Sequence, residues 1–148
     1  MRQPRTEKGQ SLIELAISFT VLLIILGGLI DLGRVFFALI AIRDAAQEGA
    51  VYAAITPVKT EAAIRAWVRS ASNDPLDMNQ IVDSDIDIAA FNSSGNVAIA
   101  DACSGDQVTV TLTYWHRFIM PLTTGITGSQ PLPISASITN TILQPLCP

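Results

Sequence analysis

Few side chains in this sequence are arranged to support catalysis. The single histidine, His116, ends a predicted strand beside Arg117, and no serine or cysteine lies in a nucleophile motif. A histidine in such a place is more often a surface or loop residue than a catalytic base. We therefore predict that the chain is not an enzyme and uses no cofactor.

Three aspartates, Asp83, Asp85 and Asp87, alternate as at the start of a calcium-binding loop. Such a loop needs a glycine at its tight turn and a bidentate glutamate at its end, but Ile88 and Ser94 occupy those positions. Acids on the solvent-facing side of a strand explain the pattern better, so we predict no metal site.

Glu14 is the acid with the most unusual surroundings, because it is the only strongly polar residue between Leu12 and Ile30. An ionised carboxylate at the centre of a bilayer costs on the order of 2.5–3.5 kcal/mol on insertion scales. Glu14 therefore needs either a partner within the membrane or a position at the head groups. The residues alone leave both alternatives open.

The apolar stretch itself predicts a membrane-spanning helix, since roughly 20 predominantly apolar residues cross a bilayer and residues 12–30 approach that number. Arg2, Arg5 and Lys8 precede the stretch, and a positively charged flank stays in the cytoplasm. We predict a single-pass protein of the cytoplasmic membrane with its N-terminus inside and its C-terminus outside.

The helix is predicted to continue beyond the membrane. No small-residue cleavage site ends the apolar run, as it would in a secretory signal peptide, and apolar residues then recur at intervals of three and four. These residues are Leu32, Val35, Phe36, Leu39, Ile40, Ile42 and Ala46. Because Pro57 disfavours helical geometry at Thr56, we expect one helix from about Gln10 to Ile55, roughly 70 Å long.

Two pairs of residues within this helix also favour particular contacts. Asp31 and Arg34 are three residues apart, which predicts a local ion pair, with a pair between subunits as the alternative. Gly27 and Gly28 suit either close helix contact or local unwinding.

Four segments resemble known pilin sequences. Residues 9–16, GQSLIELA, resemble the processing and helix-start motif of type IV pilin-like proteins. Residues 30–38, IDLGRVFFA, and 45–54, AAQEGAVYAA, are similar to the signature of the TadE-like family, and the strand ending Tyr114–Phe118 also looks like family usage. Members of that family are pseudopilins or minor pilins of tight-adherence, Flp-type pilus systems.

The resemblance implies a role in assembly. A prepilin peptidase would cut between Gly9 and Gln10, and the freed amine of Gln10 would pair with Glu14 of an adjacent subunit. The implied partners are other pilin or pseudopilin subunits, the peptidase, an inner-membrane assembly platform and an ATPase. The alternative is an uncut, single-pass membrane anchor whose outer domain binds a partner or the cell envelope.

Charge excludes nucleic acid as a partner. Residues 1–9 contain three basic residues and one acid, so their removal changes the formal net charge from −4 to −6. The exported part then has no basic patch that would bind a phosphate backbone.

The chain divides into a leader at residues 1–9, the helix at 10–56 and an extracytoplasmic domain at 57–148.

The pattern of the last 92 residues predicts a small α+β domain. A short helix is expected from Thr60 to about Ser72. Strand alternation begins at Ile81, and a turn at residues 92–96 leads to a short strand at 97–100. The fold class is therefore α+β, with a long transmembrane pilin-like helix, a short second helix and a small antiparallel sheet of about four strands.

The two strongest strands cover Gln107–Trp115 and the region around Ile134–Ile142. Each places apolar residues on one face and hydroxyl residues on the other. If Leu112 pairs with Ile138, both apolar faces coincide and the threonines line up across the ladder.

The same register places Cys103 opposite Cys147, which predicts a disulfide bond in an oxidising compartment outside the membrane. The bond would close a loop of 45 residues and stabilise the domain by a few kcal/mol. We expect intact-mass measurement of the non-reduced protein to show one bridge, whereas two free thiols would contradict the prediction.

Overall fold

A computed structural model of the chain describes residues 8–57, 60–71, 76–120, 125, 128 and 130–144. Among them, the helices are α1 (Lys8–Ile55) and α2 (Glu61–Ser70), and short 3₁₀ helices cover Met78–Gln80 and Asp83–Asp85. The strands are β1 (Ile86–Asn92), β2 (Gly95–Val97), β3 (Gln107–His116) and β4 (Leu132–Thr141). The predicted α+β class, with its long first helix, short second helix and four-stranded antiparallel sheet, is confirmed.

The chain divides into two units, each described by itself. The first contains residues up to Arg34 together with Arg117–Gln130, and the second contains Val35–His116 together with the residues from Pro131. In the first unit the apolar side chains of α1 are exposed, and Leu12 has 68% of its surface accessible. Of the helices described, α1 is the one long and apolar enough to span a membrane. Its most apolar window is only 6% buried, unlike the core helix of a soluble protein.

In the second unit the strand order is β2-β1-β3-β4, and all neighbours are antiparallel. Val108, Val110 and Leu112 of β3 are fully buried on one face. On the opposite face the Thr109 and Thr139 hydroxyls lie 2.8 Å apart and form a cross-strand hydrogen bond. The predicted faces of β3 and β4 are therefore confirmed.

A stripe of small residues on α1 packs against the buried face of the sheet. Its members are Ala38, Ala41, Ile42, Ala45, Ala46, Gly49, Ala50 and Ala53, all buried. Of the apolar residues predicted to recur along the outer helix, Ile42 and Ala46 are buried in this stripe, whereas Leu32, Phe36, Leu39 and Ile40 are exposed. Small side chains bring the helix backbone close to the sheet, and the larger side chains are left on other faces of the helix.

The predicted register of β3 and β4 is wrong by two residues. Leu112 pairs with Ala136, and Ile138 pairs with Val110. A shift of two residues leaves every side chain on its original face, so alternation alone does not distinguish the two registers. The observed register no longer places Cys103 opposite Cys147.

The first hairpin also differs from its prediction. β1 begins at Ile86 rather than Ile81, because Asp83–Asp85 form a 3₁₀ helix. Aspartate is depleted in strands, and the Asp85 carboxylate accepts a hydrogen bond from the Trp115 indole at 3.1 Å. β2 begins at Gly95 rather than Val97, since Gly95 takes a φ of 123° directly after a two-residue turn.

The second helix is held by its cap and by an arginine near its C-terminal end. Thr60 accepts the Ala63 N–H with its side chain and so caps α2, which ends at Ser70 rather than at the predicted Ser72. Arg69 donates to the Ile81 carbonyl at 3.1 Å and pairs with Asp83. These contacts tie α2 to the segment that leads into β1.

Substitution of Gly49 tests how closely α1 packs against the core of the second unit. An added Cβ would collide with the Val68 side chain and contact Val110 at 3.5 Å. Overpacking costs about 1–3 kcal/mol, which outweighs the ~1 kcal/mol that alanine gains over glycine in a helix. We expect Gly49→Ala to lower the thermal unfolding midpoint in detergent, measured by tryptophan fluorescence. Gly33→Ala is the matched control, since nothing lies within 4 Å of its added Cβ, and an equal effect of both changes would contradict the packing argument.

The ion pair between Arg69 and Asp83 predicts a pH dependence. The Arg69 hydrogen bond holds the pKa of Asp83 below its usual value. The pair therefore stabilises the fold above about pH 4, the ordinary range of aspartate, and loses its effect as pH falls further. We expect the difference in unfolding midpoint between the parent and Asp83→Asn to shrink on acidification and in high salt. A difference independent of both pH and salt would contradict this assignment.

Candidate functional site

The two acids in the apolar half of α1 have opposite surroundings. Glu14 is exposed on the helix surface between apolar neighbours, including Leu12 and Leu15. Among the residues that the structure describes, no hydrogen bond or ion pair reaches its carboxylate. Such a group is stable in a membrane only with a partner from outside the chain or at the head groups.

Asp31, in contrast, is 2% exposed and bound within its own unit. Its two carboxylate oxygens accept the backbone N–H groups of Ile119, at 3.2 Å, and Met120, at 3.1 Å. Arg34 approaches one of these oxygens to 3.6 Å, so the predicted local ion pair is confirmed. Hydrogen bonds to an ionised acceptor are stronger than neutral ones, and Asp31 thereby fastens the segment after β3 to α1. The sequence pattern shows the ion pair but not this long-range contact.

Gly27 lies one helical turn before Asp31 and is buried. A Cβ at this position would collide with the Met120 side chain, whereas nothing lies within 4 Å of a Cβ added to Gly28. α1 is continuous through both glycines, so of the two alternatives, close helix contact and local unwinding, the unwinding is not observed. Gly27 instead makes room for the segment that Asp31 binds.

The predicted cleavage site lies at the start of α1. Gly9 and Gln10 are exposed and belong to the helix, and nothing lies within 4 Å of a Cβ added to Gly9. Most of the predicted leader, residues 1–7, lies outside the described residues. The junction is thus accessible on the surface, and its cleavage stays a prediction.

The remaining candidates do not form a catalytic or metal site in the described part of the chain. His116 is 2% exposed, so the prediction of a surface or loop residue is wrong. It lies on the buried face of β3, two residues after Tyr114, whose ring it meets edge-on at 6.1 Å. Asp83 and Asp85 lie in a 3₁₀ helix and Asp87 lies in β1. No cluster of described residues could hold a metal ion.

Only one of the two cysteines predicted to form a disulfide is among the described residues. Cys103 is half-buried in the loop before β3, where its N–H donates to the Asp106 carboxylate at 2.8 Å. Cys147 lies outside the described residues. The observed register does not support the pair, but no cysteine among the described residues is a free thiol. The pairing of Cys103 with Cys147 stays a prediction.

The contacts of Asp31 predict what its replacement would do. Asp31→Asn removes the charge and one acceptor oxygen, and a hydrogen bond to a charged group contributes about 1.5–3 kcal/mol. We expect the backbone amides of Ile119 and Met120 to exchange with deuterium about tenfold faster or more. Asp44→Asn, a change to an exposed acid of the same helix, serves as control. Unchanged exchange at residues 119 and 120 would show that the carboxylate does not hold this segment.

A family of known proteins matches part of α1. Residues 9–51 match the family described as TadE-like protein, which confirms the resemblance found in the sequence for less than one third of the chain. No curated protein and no solved structure matches the chain. The matched range includes Glu14, Asp31 and Gly49 but ends before the sheet and before the segment that Asp31 binds.

Proposed function

We propose that this chain, whose residues 9–51 are similar to TadE-like proteins, is a minor pilin or pseudopilin of a tight-adherence type IV pilus. The observation that carries this proposal is the exposed Glu14 carboxylate, which has no partner among the described residues of its own chain. Its role is structural rather than catalytic.

The apolar half of α1 supplies the membrane anchor. Its side chains are exposed along the stretch 12–30, where a lipid bilayer would cover them. The basic residues before it remain in the cytoplasm by the positive-inside bias, and the α+β domain is exported. The membrane holds the subunit in this position before assembly.

Glu14 sets the position of the subunit among its neighbours. A prepilin peptidase cuts after Gly9, and the new amino group of Gln10 is positively charged. Pairing between this amine and Glu14 of an adjacent subunit compensates the cost of the carboxylate in the membrane. Because both groups lie at the start of the same helix, the pair fixes how far one helix is displaced along the next.

A second exposed surface lies just outside the membrane span. Phe36 and Phe37 are 62% and 60% exposed, although they follow the stretch that the bilayer covers. Large exposed apolar patches mark interaction sites. We assign this surface to contacts with the helices of other pilin subunits at the inner-membrane platform.

The sheet domain favours an accessory role over that of the major subunit. Major Flp-type pilins consist of little more than the helix, whereas this chain continues for a further 92 residues after position 56. A subunit with this added bulk suits the base or the tip of the pilus better than its repeating shaft.

The first test is the N-terminus of the protein purified from its native membrane. We expect intact mass and N-terminal sequencing to show a chain that begins at Gln10, and we expect Gly9→Val to abolish cleavage. A native chain that retains Gly9 would instead support the alternative, a permanent single-pass anchor with an envelope-binding domain.

The second half of the test concerns Glu14. Glu14→Gln is expected to be inserted and cleaved normally but to be lost from the purified pilus or pseudopilus complex. Glu48→Gln makes the same chemical change at an exposed position of α1 and should leave incorporation unchanged. Normal incorporation of Glu14→Gln would contradict the pairing.

A further inference from the structure

The segment Arg117–Met120, which follows β3, belongs to the same unit as the apolar half of α1. Its position is fixed from two sides. The Asp31 carboxylate accepts the N–H groups of Ile119 and Met120, and the Met120 side chain occupies the space beside Gly27. The segment therefore lies against the turn of α1 between Gly27 and Asp31.

That turn is the outer end of the apolar stretch. Asp31 directly follows Ile30, the last residue of the stretch, and Gly27 lies four residues, or about 6 Å, nearer the membrane centre. If the stretch spans the bilayer, Met120 extends below the level of the head groups. The Asp31 carboxylate is then shielded at the membrane boundary by the amides that it binds.

The side chains of the segment suit this depth. Ile119 is 69% exposed, as much as Leu12 in the span, and no charge occurs in Phe118–Met120. Arg117 and Arg34 are both exposed. Arg117 directly precedes Phe118, and Arg34 follows Asp31 by three residues. Cationic side chains at this level meet the lipid phosphates, which is the usual arrangement at a membrane interface.

We propose that Phe118–Met120 is inserted into the outer leaflet as a second membrane contact, held at its depth by Asp31. Its partner is the acyl-chain region of the lipid, and its surface is continuous with the lipid-facing surface of α1. This proposal rests on the membrane span of the proposed function. It adds that the exported domain is attached to the bilayer at a second point, remote from α1 in sequence.

Tryptophan reporters in the full chain test the insertion. Ile119→Trp, Phe19→Trp and Leu143→Trp are each reconstituted into phosphatidylcholine vesicles whose acyl chains carry bromine either near the head group or near the bilayer centre. Leu143 is 60% exposed and lies after β4, so it reports on the exported domain. The parent protein supplies the background from Trp67 and Trp115.

We expect Ile119→Trp to be quenched most by bromine near the head group, Phe19→Trp by bromine nearer the centre, and Leu143→Trp by neither. Quenching of Phe19→Trp alone would overturn the inserted segment and leave the membrane span intact. Absence of quenching at Phe19→Trp would remove the span and this proposal together. If the Ile119→Trp side chain is shielded from solvent only after other pilin subunits are added, the segment is assigned to a protein contact instead.

Asp31→Asn tests the positioning role of the carboxylate. In the Ile119→Trp background it is expected to reduce quenching by bromine near the head group, while Phe19→Trp quenching stays unchanged. Equal quenching with and without the Asp31 carboxylate would overturn its role in setting the depth.

Discussion

The close contact between α1 and the sheet is the constraint on which the second unit depends. Alanines and Gly49 form the contacting stripe of the helix, so its backbone approaches the buried residues of β3 without large side chains between them. Packing at interior density leaves little room for an added methyl group. The same choice leaves larger apolar residues such as Phe36 and Phe37 exposed. One face of α1 thus packs tightly in the core, and another face presents exposed apolar side chains.

The two acids of the first unit differ in the groups that bind them. Asp31 and Glu14 are acids on one apolar helix, yet Asp31 is satisfied by two backbone amides and Arg34, whereas no described residue of the chain binds Glu14. A carboxylate satisfied within the chain stabilises the fold, and one without such a contact favours whatever neighbour supplies a positive charge. Because of this difference, Asp31 has a role within the fold, whereas for Glu14 we propose a role in assembly.

Sequence patterns predicted the parts of this fold that depend on local chemistry. The extent of α1, the approximate start of α2 and the two faces of β3 follow from apolar spacing and turn residues. The β3–β4 register was missed because a shift of two residues preserves both faces. The alanine stripe was missed because small side chains give a weak apolar signal. The burial of His116 continues the alternation from Val108, and the bond from Asp31 to Ile119 joins residues 88 positions apart, which no local pattern reveals.

The end of α1 is completed by the far end of the chain. The carbonyl of Ala54, one of the last in the helix, accepts the N–H groups of Leu143 at 2.8 Å and Gln144 at 3.3 Å. A helix leaves its final carbonyls without intrahelical donors, so this residue depends on a segment synthesised 89 positions later. Until residues 143 and 144 have been synthesised, the C-terminal end of α1 lacks these bonds. The hydrogen bonds at the end of α1 are therefore complete only after translation has passed β4.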